Sequence, residues 1–194
     1  MLALTRSFFL TLAAAAVLGA SASAAADPKH PRVVMVTTAG TIVVELDAVH
    51  APVTTANFLK LVARKKYDGA TFYRSVNPTL EPGAGIDVIQ GGLRDAAPPE
   101  TIPLEKTSTT GLHNTDGVIS MARSSDPNSG SSEFFLCIGD NTFLDADHQP
   151  DGNGYAAFGH VVSGMAVVKS INALPTQSEM LPTPVRIISM RRVK

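Results

Sequence analysis

The chain has 194 residues and carries 16 Lys plus Arg against 17 Asp plus Glu, a formal charge of -1. It has room for one domain with a real core and a short appendage, and two large domains are excluded. The longest block of like charge is Arg64-Lys65-Lys66, which argues against a nucleic-acid or membrane-surface role driven by bulk electrostatics, and 44% hydrophobic residues with 15 Gly and 13 Pro spread along the chain exclude disorder and collagen-like structure.

Residues 1–26 carry one charge, Arg6, then the apolar run Phe8 to Leu18, then a stretch of Gly, Ala and Ser ending at Ala26. This is the three-part plan of a secretory signal peptide, with cleavage expected after Ala24 or Ala26. The apolar run is far short of the roughly 20 residues that a permanent bilayer-spanning helix needs. An exported protein is therefore expected, in the periplasm or secreted, with residues 27–194 as its single domain. The single cysteine, Cys137, cannot form an internal disulfide or hold a structural zinc alone. It lies in the apolar run Phe134-Phe135-Leu136-Cys137-Ile138 and reads as a small buried residue.

From Arg32, Val33 to Thr38 and Thr41 to Leu46 flank Ala39-Gly40, a β-branched hairpin pattern. Pro52, with Phe58, Leu59, Leu61 and Val62 at helical spacing, predicts a helix of about three turns ending near Tyr67-Asp68-Gly69. Short strands are predicted at Thr71 to Val76, Asp87 to Gln90, Val118 to Arg123, Glu133 to Ile138 and Ala156 to Val162, each bounded by Gly, Pro, Asn or Asp. Met165, Val167, Val168 and Ile171, between Gly164 and Pro175, predict a second short helix. Val185 to Val193 closes the chain as a strand expected to pair with the first, since an isolated edge would otherwise stay open. Many antiparallel strands with two helices is the count of a closed β-barrel capped by helices.

Along these strands stand Phe72-Tyr73-Arg74, Gln90-Gly91-Gly92, Ile119-Ser120-Met121-Ala122-Arg123, Ser132-Glu133-Phe134-Phe135-Leu136, Phe143-Leu144-Asp145 with His148, and Phe158-Gly159. Their order and types resemble the cyclophilin family of peptidyl-prolyl cis/trans isomerases over about residues 32 to 193. The resemblance implies an all-β fold, a closed eight-stranded antiparallel barrel capped by two α-helices. It also implies a proline-binding groove on the outer surface and no cofactor. By the same resemblance Arg74 is the catalytic arginine. Phe135, Phe143 and Leu144 are the apolar floor, His148 donates to the substrate carbonyl, and Gln90 positions Arg74 and the peptide. The backbone of Ala122 and Arg123 pairs with the extended peptide, a short form of strand addition.

The chemistry implied is economical. Rotating an X-Pro amide breaks no bond, and its barrier of about 18–20 kcal/mol arises from C–N double-bond character. A donor to the prolyl nitrogen as it becomes pyramidal acts mainly in the twisted state, the condition for acceleration. An arginine suits this role because it is a permanent cation with several fixed donors. Proline-containing peptides and unfolded exported proteins are the expected partners of a monomer, without nucleic acid.

The sequence departs from the family in places. Asp87 stands where an apolar groove residue is usual, after the inserted loop Asn77 to Gly85, so Ile86 or Val88 becomes the candidate for part of the wall. Glu133 replaces the usual Gln in the groove, and a carboxylate there can hold Arg74 in an ion pair that competes with substrate. Phe143 takes the place of a frequent Trp. A second insertion, Gln149 to Tyr155, follows His148. Asp87 and Glu133 keep open a second reading, a proline-peptide-binding module or holdase chaperone with weak or no catalysis. Asp145, Asp147, His148 and Asp151 lack the spacing of a calcium loop, and no His or Cys cluster suits zinc. Ser124, Ser125 and Ser129 to Ser132 lack a nucleophile elbow and read as a polar loop.

Overall fold

A computed structural model describes residues 27–94 and 100–193; the expected signal segment, residues 1–26, lies outside them. Among the described residues the strands are β1 (Arg32–Thr37), β2 (Gly40–Leu46), β3 (Thr71–Val76), β4 (Val88–Gly92), β5 (Val118–Met121), β6 (Phe134–Cys137), β7 (Ala156–Ser163) and β8 (Met180–Arg192). They close into a barrel in the order β1-β2-β7-β5-β6-β4-β3-β8, and every neighbouring pair is antiparallel. The last strand joins the first, with Met35 opposite Met190, and closes the sheet on its other side against β3. Closure leaves no open sheet edge, which is what the barrel gains over an open sheet.

Period-two alternation decides which face is inside. Val33 and Met35 on β1, and Ile42, Val44 and Leu46 on β2, have no exposed surface, whereas their strand neighbours are partly or fully exposed. The barrel interior centres on aromatic rings: Phe134 meets Phe58 at 5.5 Å, Phe72 at 5.7 Å and Tyr67 at 5.7 Å, each edge to face. That is the arrangement the ring quadrupole favours. Cys137 is fully buried and burial pushes its thiol up.

Helix α1 (Pro52–Ala63) packs on β7 and β8 and buries Phe58, Leu61 and Val62. Ala51 at its start supplies no side-chain cap, and the carboxylate of Glu105 takes that place, accepting from the Val53 amide at 3.0 Å and the Thr54 amide at 2.8 Å. The helix stops at Ala63, short of Tyr67, because Lys65 turns to φ +55° and swings Tyr67 into the core. A single extra turn, α2 (Thr107–Thr110), was not expected from its sequence. Helix α3 (Met165–Asn172) packs on β2, β3 and β4 and buries Val168 and Ile171. Gly164 opens it at φ +90°, where a Cβ would lie 2.3 Å from the Thr41 carbonyl oxygen, so only glycine fits the approach of helix to hairpin.

Candidate functional site

Strand β6 is buried on both faces, unlike β1 and β2, so something covers the barrel's outside there. Phe134 and Leu136 belong to the inner core. Phe135 and Cys137, pointing the other way, form a second apolar cluster with Val76, Val88 and Leu144, against which Ile86, Ala122 and Tyr155 pack. This outer cluster lies on β3, β4 and β6 and is roofed by the helical turn Thr142–Leu144. Ile86 and Val88 thus line the wall next to Asp87. The backbone of Asp87 is fastened to Asn141, and Asp87 Oδ1 is buried without a hydrogen-bond partner among the described residues. Burial pushes its carboxyl up.

Arg74 and Gln90 face each other across the β3–β4 ladder, and Gln90 is in turn opposite Phe135 on β6. The register therefore brings cation, amide and apolar ring onto one outer strip. Arg74 Nη1 donates to Gln90 Oε1 at 2.9 Å. Its Nε and Nη2 both donate to one oxygen of Glu179, at 2.9 and 2.6 Å. A guanidinium has five N–H donors, so these bonds leave one hydrogen on each Nη.

The ion pair expected between Arg74 and Glu133 is not formed; Glu179 is the partner. Glu133 accepts instead from the Tyr73 hydroxyl, and Gln90 Nε2 donates to that same hydroxyl at 2.7 Å. Tyr73 faces outward by alternation with the inward Phe72, and the register shift between Phe72 and Arg74 turns Arg74 to the outer side as well, opposite Gln90. Burial, and after it the Glu133 carboxylate, push the Tyr73 phenol up, so it remains a hydroxyl. Gly92, at φ +141°, lets β4 lie against Ser132 and Glu133; a Cβ there would be 2.6 Å from the Ser132 carbonyl oxygen. Gln90, Ala122, Arg123, Ser131 and Glu133 line a cavity of about 210 Å³ beside this network. A larger cavity of about 540 Å³, between α1 and residues 100–103, holds none of the candidate residues.

The remaining candidates are arranged unevenly. Phe135 is 5% exposed and Leu144 7%, whereas Phe143 is 57% exposed on the adjoining turn. The Ala122 amide donates to the Glu133 carbonyl at 2.8 Å, so it is not available for strand addition, and the expectation narrows to the Ala122 carbonyl and the Arg123 backbone. The Arg123 side chain turns back, donating to the Gly154 carbonyl at 2.7 Å and lying over the Tyr155 ring at 5.0 Å. His148 Nδ1 lies 2.7 Å from the Thr142 carbonyl oxygen. A carbonyl only accepts, so Nδ1 carries a hydrogen, and in the neutral ring Nε2 is an acceptor. The expected donation from His148 to a substrate carbonyl through Nε2 requires the doubly protonated ring. Tyr155 and Glu179 carried no signal as site residues, since each lies in a loop without periodicity, and Glu179 is 105 residues from the arginine it meets.

A closed antiparallel barrel with a lateral groove, built from an arginine–amide–carboxylate cluster beside an apolar slot, defines a barrel able to receive an extended peptide from the side. A family model described as cyclophilin type peptidyl-prolyl cis-trans isomerase/CLD matches residues 32–192. The peptidyl-prolyl cis-trans isomerase of Acinetobacter baylyi is 35% identical over 182 residues, covering 91% of this chain and 93% of that protein. Peptidyl-prolyl cis-trans isomerase B of Escherichia coli is 34% identical, covering 71% and 81%. A solved Cryptosporidium parvum cyclophilin superposes with TM-score 0.70 at 21% identity, over 84% of this chain and 97% of that one. The chain belongs to the family of cyclophilin-type peptidyl-prolyl cis-trans isomerases.

Proposed function

We propose that this isomerase works in the Arg74 groove on X-Pro bonds of unfolded exported proteins, in the periplasm or beyond it. The observation that carries the reading is the fixed guanidinium of Arg74, held by Gln90 and Glu179 with one hydrogen on each Nη left over, on the same outer strip as Phe135. Phe135 and Leu144 hold the pyrrolidine ring, Phe143 closes over it, and His148 in its doubly protonated form reaches the peptide carbonyl. Gln90 fixes Arg74, while the Ala122 carbonyl and the Arg123 backbone pair with the extended chain. Glu133 and the neighbouring serines contact the residues before proline.

As the imide twists, the prolyl nitrogen loses conjugation and gains a lone pair. A free Arg74 N–H bonds that lone pair and has little to bond in the planar ground state. A ten-thousandfold acceleration needs about 5.4 kcal/mol of such preference. One charged hydrogen bond supplies roughly 1.5–3 kcal/mol, so orientation of the peptide in the groove provides the remainder.

The test is exchange NMR on a proline peptide, with and without the protein. The expected result is catalysed exchange that falls at least about a hundredfold in Arg74→Ala while peptide binding persists. Catalysis that persists in that variant refutes the role of Arg74. The binding-only reading predicts peptide affinity without faster exchange. Its two motives are weakened, since Glu133 is engaged by Tyr73 and Gln90 and does not touch Arg74, and Val88 and Ile86 stand in the wall beside Asp87.

A further inference from the structure

We infer that Glu179 is a positioning residue for catalysis, carried by a deliberately strained turn whose purpose is to hold the plane of the Arg74 guanidinium. This rests on the reading of Arg74 as the donor to the prolyl nitrogen.

The turn joins Gln177 to Met180, which exchange backbone hydrogen bonds of 2.8 and 3.0 Å. Its two central residues, Ser178 and Glu179, have φ of +50° and +65°. Two positive φ values in succession are the pattern of a two-residue hairpin that favours Asn-Gly, Asp-Gly or Gly-Gly. Neither Ser nor Glu belongs to that set, and a long side chain in the left-handed region is sterically disfavoured. A stability-driven choice would put Gly at 179.

What the strained residue provides is visible around it. The Glu179 carbonyl accepts from the Ser75 amide at 2.8 Å, so the turn is fastened to β3 one residue from Arg74. One carboxylate oxygen takes both Nε and Nη2 of Arg74, fixing that edge of the guanidinium while one hydrogen remains on each Nη. Glu81, in the inserted loop Asn77 to Gly85, holds the turn from outside: its Oε1 accepts from Thr176 Oγ1 at 2.7 Å and from the Glu179 amide at 3.3 Å. The insertion thereby acts on Arg74 through Glu179. A donor locked before substrate arrives loses no side-chain freedom as the transition state forms.

The experiment measures kcat and KM by exchange NMR, and melting temperature, for six variants of the full chain. Glu179→Ala is expected to lower kcat about tenfold with KM within about twofold, the split of an interaction realised in the transition state. Glu179→Gln is expected to recover most of that loss, since a single oxygen makes both bonds and an amide oxygen can replace it. The double change Ser178→Asn with Glu179→Gly is expected to raise the melting temperature and still lower kcat about tenfold. Glu81→Ala is expected to slow the wild-type chain but to add nothing in the Glu179→Ala background. Wild-type or raised kcat in Glu179→Ala overturns the inference, as does a glutamine variant no faster than the alanine one or an Asn-Gly turn at wild-type rate. Arg74→Ala separates the two levels: a slow Arg74→Ala beside a fast Glu179→Ala sinks the positioning role alone, whereas a fast Arg74→Ala sinks the underlying assignment.

Discussion

Phe135 meets Tyr155 edge to face at 5.6 Å, with the ring planes at 82°, and Tyr155 in turn carries the Arg123 guanidinium at 5.0 Å from its centroid. The groove floor and the loop inserted after His148 are thus one packed unit, in which an apolar ring of β6 supports a cation on the far rim. Phe143, by contrast, projects from its turn into solvent.

That difference separates two aromatic residues of the same expected role. Phe135→Ala is expected to cost about 3 kcal/mol of stability, as truncation of a buried phenylalanine does, and to weaken peptide binding. Phe143→Ala is expected to leave stability within about 0.5 kcal/mol while raising KM several-fold. Thermal melts with peptide titrations on both variants check this; equal destabilisation would refute the division of labour.

Glu133→Gln is expected to leave kcat for an uncharged peptide within about twofold, because Glu133 touches Tyr73 and Gln90 and not Arg74. The lost charge is expected to show in selectivity: peptides with an acidic residue just before the X-Pro pair should bind about threefold more tightly, and the gain should fade at high salt. A general rise in kcat would mean that the carboxylate competes for Arg74 after all.

Asp87 supplies a pH prediction. Burial raises its folded-state carboxyl above the ordinary value, so the protonated form is favoured by folding. The associated stability is fully present below the unfolded-state value and is lost as pH rises through the folded one. Asp87→Asn removes the buried charge and is expected to raise the melting temperature by about 2 °C near pH 7, with the benefit gone near pH 3, where both states carry the proton. An equal gain at both pH values would assign the effect to packing instead.

For His148, the bond to the Thr142 carbonyl fixes the neutral tautomer. Long-range proton–nitrogen spectra of the neutral ring are expected to place the hydrogen on Nδ1. Finding it on Nε2 would restore the ring as a donor in its neutral form.

Sequence pattern foretold β1 and β2 because one wall of each is wet: Val33 and Met35 alternate with polar or half-exposed neighbours, and Thr71–Val76 was legible to the residue. It foretold less where long-range partners decide. The cap of α1 is Glu105, about fifty positions downstream, and the turn Thr107–Thr110 has four residues of poor helix propensity. Strand β8 begins at Met180, five residues before the predicted Val185, because Pro182 and Pro184 hide it. They fall in the register shift between the Arg74–Met180 and Phe72–Val185 pairs, where a proline's missing N–H is tolerated. At the site, Arg74, Gln90, Glu133 and Phe135 stood out in short strings on β-strands. Glu179 did not, since nothing in Gln177-Ser178-Glu179-Met180 signals that its turn closes on Arg74.

The strand that shuts the barrel is also the one farthest along the chain from its neighbours: β8 must find β1 and β3. A polypeptide delivered from its amino end holds both of those strands with raw margins until the final segment emerges. Pairings of such long sequence separation slow assembly and prolong exposure to wrong companions. Maturation of this protein is therefore gated by arrival of its own tail, and truncations that remove β8 should yield a sticky, unsealed sheet rather than a smaller catalyst.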